Sequence, residues 1–331
     1  MIQNTMMLEI LERSEQRRTE RRRFMKVAGG AVAAAGGLSM LAACGSDDDN
    51  AGPPPVATPT PTPSAAQVDL DVLNFALNLE YLEATFYSYA AFGSPLSTAS
   101  ISGTGTPGTV TGGRKVAFTD PVVQQYALEI AADEVAHVNF LRSVLGSAAV
   151  ALPALNIDGG ANGAFTAAAR AAGLVPATGT FDPYASDENF LLGAYIFEDV
   201  GVTAYKGASP LLVNKTYLEA AAGILAAEAY HAGLVRTVLY SKGLQTPSLR
   251  TSADAISNAR DSLDGTSDLD QGITGTATAS NIVPTDANGV AFSRTTSQVL
   301  NIVYLNRTAA SSGGFFPAGL NGNIKTSTTA A

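Results

Sequence analysis

Two stretches, DEVAHVNFLR at Asp133–Arg142 and EAYHAGLVR at Glu228–Arg236, hold the only two histidines of this 331-residue chain. Each histidine follows a glutamate by three residues and precedes an arginine by five. On a helix, residues three apart share a face. Here that face also carries the apolar stripe, Val123, Ala127, Ile130, Leu141 and Leu145 in one case and Leu218, Ala221, Leu225, Val235 and Leu239 in the other. A fold built from such helices must turn carboxylates and imidazoles into its own core.

Two further segments have the same character. Leu70, Leu73, Leu77, Glu80, Ala84, Tyr87 and Ala91 recur at helical spacing and run into Gly93. Leu191, Tyr195, Glu198, Val202 and Tyr205 do so after a start near Ser186. Asp120-Pro121 and Ser209-Pro210 read as N-caps followed by proline at the first helical position, opening the second and fourth helices. Four long amphipathic helices predict an all-α four-helix bundle. The few residues around Gly207 make the third and fourth helices antiparallel neighbours, while the long connection from Gly146 to Ala185, with a short helix at Gly163–Ala172, allows a crossover between helices two and three. The first connection, Gly93–Asp120, reads as an irregular loop or small hairpin. Helices at Ser252–Leu263 and Thr295–Asn306 are expected in a C-terminal extension that wraps the bundle.

The four helices form a repeat. An offset of 94 carries Glu134, His137 and Arg142 onto Glu228, His231 and Arg236, and an offset of 118 carries Glu80 and Tyr87 onto Glu198 and Tyr205. Only eight glutamates follow Cys44, so the coincidence of both histidines with this spacing is not casual. Burying one uncompensated carboxylate costs several kcal/mol. Four of them, Glu80, Glu134, Glu198 and Glu228, would repel one another into protonation, whereas two divalent cations would neutralise them. An oxygen-and-imidazole donor set suits iron or manganese; zinc fits a purely structural site. Glu83, one turn beyond Glu80, is either a further ligand or an edge residue. Glu129 and Asp199 are expected to face solvent, and Arg142 and Arg236 to pair with acids or cap helix ends.

One Glu from each of two helices and a Glu-x-x-His from each of the others resembles the dinuclear carboxylate centre of the ferritin-like superfamily. LNFALNLEYLEATFYSYA at 73–90, together with NIVPTDANGVAFSRTTSQVLNIVYLN and GGFFPAGLNG in the tail, is similar to the desiccation-related ferritin-like proteins. That resemblance spans about residues 68 to 325. It implies redox chemistry with O₂ or peroxide as the small-molecule substrate, in protection against stress or desiccation. Tyr87 and Tyr205 are either core aromatics or groups that hydrogen-bond the ligands or pass electrons. The long first loop and tail argue against a storage shell. Two other classes stay open: a non-catalytic envelope protein with structural metals, and a scaffold with a vestigial site.

Residues 1–43 read as a twin-arginine signal peptide: Arg21-Arg22-Arg23-Phe24-Met25-Lys26, then a weakly apolar run ending in the lipobox-like Leu41-Ala42-Ala43-Cys44. The run falls short of the roughly 20 strongly apolar residues a membrane span needs. Cys44 is the only cysteine, so it is the expected lipidation site, tethering an exported protein to a membrane in the periplasm or cell envelope, and no disulfide is available. Residues 44–66 are a disordered Pro/Thr linker, 67–244 the bundle, and 245–331 the extension. Removing the signal takes seven basic and four acidic residues, so the net charge goes from −9 to −12. That acidity argues against nucleic acid as a partner. Monomer and homodimer are both compatible with the sequence.

Overall fold

A computed structural model describes residues 63–331. The twin-arginine segment, Cys44 and the spacer up to Thr62 lie outside the described residues. The first long helix, α1 (Ala65–Phe92), starts where the Ser64 hydroxyl accepts from the Gln67 amide and stops where Gly93 takes a left-handed φ of 74°. A short α2 (Thr98–Ile101) and strand β1 (Val110–Gly112) lead to α3 (Pro121–Leu145), capped by Asp120 with Pro121 in its first turn. Strand β2 (Leu155–Ile157) and α4 (Ala164–Ala171) occupy the crossover. Next come α5 (Asp187–Ala208), capped by Ser186, and α6 (Lys215–Lys242), capped by Asn214. The extension holds α7 (Pro247–Asp264) and α8 (Thr296–Val303). The fold is all-α, as the periodicity predicts.

α1 packs along α3, and α5 along α6; the two pairs face each other over a shared core. The crossover sets their relative direction, because α3 and α5 are separated by the whole β2–α4 segment while α1–α3 and α5–α6 are antiparallel neighbours. The Asp187 carboxylate locks the starts of α3 and α5 together by accepting from the Thr119 and Asp120 amides.

Three expectations change. The first connection is not a hairpin: β1 pairs in parallel with β2, Val110 opposite Leu155 and Gly112 opposite Ile157. Its β-branched residues find their partner in the other long connection, 45 residues on, which no local turn signal encodes. Ser209-Pro210 does not open the fourth helix either. It forms a single 3₁₀ turn, Ser209–Leu211, and the buried Asp69 of α1 accepts from the Val213 and Asn214 amides, so the chain re-enters helix only at Lys215, after the Asn214 cap. Third, α7 begins at Pro247 rather than Ser252, and α8 ends at Val303.

The extension covers the bundle. Phe315 packs edge-on against Phe165 and Phe197, with ring centres 5.2 and 4.9 Å away. Asn321 joins three segments at once: its amide donates to Asn78 of α1, its carboxamide donates to Thr106 and Ala151 and accepts from the Thr106 amide. As a result α1 and α5 are buried on almost every side, although a free-standing bundle would expose half of each. No helix among the described residues is long and apolar enough to cross a membrane.

Candidate metal centre

All six residues singled out by spacing meet in the middle of the bundle. Glu80 (α1), Glu134 and His137 (α3), Glu198 (α5), Glu228 and His231 (α6) turn inward, the four carboxylates fully buried. His137 Nδ1 lies 3.3 Å from Glu80 Oε2, 3.7 Å from Glu134 Oε2 and 3.6 Å from Glu228 Oε1. His231 Nδ1 lies 3.0 Å from Glu134 Oε1 and 3.7 Å from Glu198 Oε2. The imidazole centres are 6.1 Å apart. Two donor groups result, Glu80/Glu134/His137/Glu228 and Glu134/Glu198/His231, each with its atoms mutually within 4.8 Å. Glu134 belongs to both.

Eight donor atoms of these six residues have no hydrogen-bond partner: Glu80 Oε2, both oxygens of Glu134 and of Glu228, Glu198 Oε2, and Nδ1 of both histidines. Buried polar atoms are almost always paired, and leaving each one unpaired costs about 1–3 kcal/mol, more for a charged group. Their convergence on one interior point, with oxygen and imidazole donors and no thiolate, fits a hard or borderline cation. The arrangement is a candidate metal site.

Taken as protein groups alone, the cluster relieves its own charge unevenly. Burial, then the Glu134 charge, pushes Glu80 up to about 7, and burial pushes Glu198 up to about 8. Burial and surrounding carboxylates hold Glu228 well above the ordinary range. Burial works against the Glu134 carboxylate too, yet both imidazoles contact it and hold it down at about 2. The same contacts overcome the desolvation of His137 and His231 and lift them to about 11 and 9.

The tyrosines cross the site. Tyr87 donates its hydroxyl to Glu198 Oε1 and Tyr205 donates to Glu80 Oε1, so each tyrosine holds the carboxylate of the opposite pair. Of the two alternatives for them, hydrogen bonding to the cluster carboxylates is realised. The arginines follow the same symmetry with different partners. Arg142 donates to Tyr81 Oη at 2.6 Å and to the Ala99 and Ser102 carbonyls, capping the end of α2. Arg236 donates to Asp199 Oδ2 at 2.7 Å and to the carbonyls of Gln271, Gly272, Asn281 and Ile282. Both expected uses of an arginine appear, one in each half.

Asp199 was expected in solvent and is instead buried, because α7 and the tail cover the outward face of α5. It accepts from Arg236 and Arg260. Asp270 binds Arg260 and Arg294, and Asp264 binds Arg294, so three buried arginines and three buried aspartates form one network behind Glu198. Glu129 is exposed, as expected. Glu83 is buried, and burial with neighbouring carboxylates raises its pKa well above the ordinary range. It sits near Glu228 beside Gly201, where a Cβ would clash with Glu228 Oε2 and lie 3.4 Å from Glu83 Oε1. Spacing alone did not single out Asp133: its Oδ2 lies 3.2 Å from His231 Nε2, the ring nitrogen on the far side from the cluster. The only sequence signal for that role is its place next to Glu134.

Residues 68–241 match the ferritin-like domain over just this bundle. The chain belongs to the ferritin-like family. Among its ferritin-like relatives, the ferritin-like catalase Nec2 of Nesocodon mauritianus is 28% identical over 272 residues, 78% of this chain and 85% of that protein. The desiccation-related protein PCC13-62 of Craterostigma plantagineum is 33% identical over 175 residues, about half of each chain (53% and 54%). The first alignment is longer than the bundle, so the likeness extends beyond the domain itself.

Proposed function

We propose that the bundle holds two iron or manganese ions and disproportionates peroxide as a defence against oxidative or desiccation stress. The observation that carries this reading is the set of eight unpartnered donor atoms on six buried residues. Glu80, Glu134, His137, Glu198, Glu228 and His231 would hold the ions. Bound there, a pair of redox-active ions supplies a store for two electrons. The overall reaction balances as two hydrogen peroxides to two waters and one O₂: one peroxide gives up two electrons and two protons, and the other takes them.

The chain's own residues have three tasks. Tyr87 and Tyr205 orient Glu198 and Glu80 through hydroxyl hydrogen bonds. The buried surround keeps bulk water out. Glu83, whose carboxyl burial and then the neighbouring carboxylates hold well above the ordinary range, lies near Glu228 and is placed to exchange protons with the site. The likeness to a protein named a ferritin-like catalase supports peroxide over O₂ as the substrate.

The test is to load purified protein with manganese, iron or zinc and add hydrogen peroxide under an oxygen electrode. The expected result is one O₂ released per two peroxides consumed with manganese or iron and none with zinc. Two bound manganese or iron ions with no peroxide consumption would instead mark a structural site.

We also propose that the protein leaves the cytoplasm by the twin-arginine route and is held at the cell envelope by lipid on Cys44. The lipobox-like Leu41-Ala42-Ala43-Cys44 and the absence of any other cysteine support this. Cys44→Ala should move the protein from the membrane to the soluble fraction; an unchanged distribution would refute the tether.

A further inference from the structure

The internal repeat is broken at the positions that surround the two donor groups. The offset of 94 that carries Glu134 onto Glu228 carries Asp133 onto Ala227, and the offset of 118 that carries Glu80 onto Glu198 carries Glu83 onto Gly201. Asp133 therefore stands behind His231, 3.2 Å from its outer nitrogen, while Ala227 has no group to offer His137. Across the site, the space over Gly201 receives Glu228 Oε2, and Glu228 Oε1 turns toward His137. Glu228 thus joins only the first donor group, whereas its repeat partner Glu134 reaches both histidines.

From this we infer that the two metal positions are inequivalent. The position of Glu80, Glu134, His137 and Glu228 fills first and is kept, whereas the position of Glu134, Glu198 and His231, which depends on Asp133, fills second and receives the small anionic or peroxide ligand. The inference rests on the reading of the cluster as a dinuclear site. Its physical basis is donor number and charge. Four residues with three carboxylates enclose the first position, and only three residues with two carboxylates enclose the second, which leaves coordination there for an exogenous ligand. Asp133 offsets the smaller donor set, since a carboxylate behind a ligating histidine orients the ring and raises its basicity. His231 is 3% exposed and Asp133 49% exposed, so the support is applied from the surface inward.

The experiment is titration of the metal-free full chain with cobalt(II), followed by absorption, with azide added at each stage. Wild type should show two resolved binding steps, with azide changing the spectrum only after the second. Asp133→Asn should weaken the second step by about 10- to 100-fold and leave the first in place. Glu228→Gln should weaken the first, and Ala227→Asp, which restores the repeat behind His137, should strengthen the first step and widen the separation between the two. Because Asp133 is half-exposed, its variant keeps the fold, and circular dichroism on the same sample verifies that. A single unresolved two-ion step in wild type, equal weakening of both steps by Asp133→Asn, or an azide response at the first step would each overturn the inference while sparing the dinuclear reading. No cobalt binding at all would overturn both.

Discussion

Glu198 and Asp199 are neighbours on α5, both buried, and they belong to two charge clusters of opposite character. On one side five carboxylates, Glu80, Glu83, Glu134, Glu198 and Glu228, face two imidazoles, with eight donor atoms of the six candidate ligands unpaired. On the other, Arg236, Arg260 and Arg294 face Asp199, Asp264 and Asp270 in equal number, with most of their N–H groups spent on carboxylates or carbonyls. A balanced, hydrogen-bonded cluster is a fastening. An unbalanced one with idle lone pairs is complete only with a ligand. Burial does not distinguish the two; the accounting of partners does.

Deleting a charge should therefore act in opposite directions on the two sides, and this is the largest expected contrast. Arg260→Ala removes the partner of both Asp199 and Asp270 and should destabilise the protein by about 3–5 kcal/mol in urea unfolding. Glu228→Gln, in metal-free protein, should instead stabilise it by roughly 1–2 kcal/mol, since burial and the surrounding carboxylates disfavour the carboxylate and neither of its oxygens has a hydrogen-bond partner, while lowering metal content. If both variants destabilise the metal-free protein alike, the distinction between the clusters fails.

The pH response sharpens the comparison. Glu80 and Glu198 have folded pKa values of about 7 and 8, above the ordinary 4.5, and His137 and His231 values of about 11 and 9, above 6.5. Each of these groups binds its proton more tightly when folded, so metal-free protein loses stability as pH rises, the carboxylates acting from about 4.5 to 8 and the histidines from 6.5 through 9 to 11. Glu134, held at about 2, adds stability above 4.5 that disappears only in acid. Metal competes for the same lone pairs and binds better as protons leave. The gap in melting temperature between loaded and stripped protein should widen from pH 5 to pH 8. Asp270, lowered by Arg260 and Arg294, keeps the fastening charged across that window. A constant gap would show that the cluster does not exchange protons for metal.

The smallest effect tests the exchange of tyrosines. Tyr87→Phe and Tyr205→Phe each remove one hydroxyl hydrogen bond to a carboxylate and should each cost about 1–2 kcal/mol, near-equal because they are repeat-related. A large inequality, measured by thermal unfolding of loaded protein, would extend the inequivalence of the halves to their outer contacts.

Much of this was legible without coordinates. The Glu-x-x-His spacing and the apolar stripes placed six side chains on inward faces, and the caps Asp120 and Ser186 and the stop Gly93 set helix ends, because all are local consequences of helical geometry. Glu83 stayed ambiguous, since a position one turn from a ligand can face the core or its edge until a neighbour such as Gly201 makes room. Asp199 was misplaced for a related reason: a helix wheel assumes one solvent face, and the tail removed it.

The amino-acid order by itself determined the helices, their repeat and the identity of the donors, since each depends on residues within a turn or two of one another. Only the tertiary structure decided which tyrosine serves which carboxylate, that β1 seeks β2, that Asp133 supports His231, and that Asp199 is fastened rather than wet. Those contacts join residues 37 to 125 positions apart, and no local preference of the chain specifies a partner at that distance. Packing selects it.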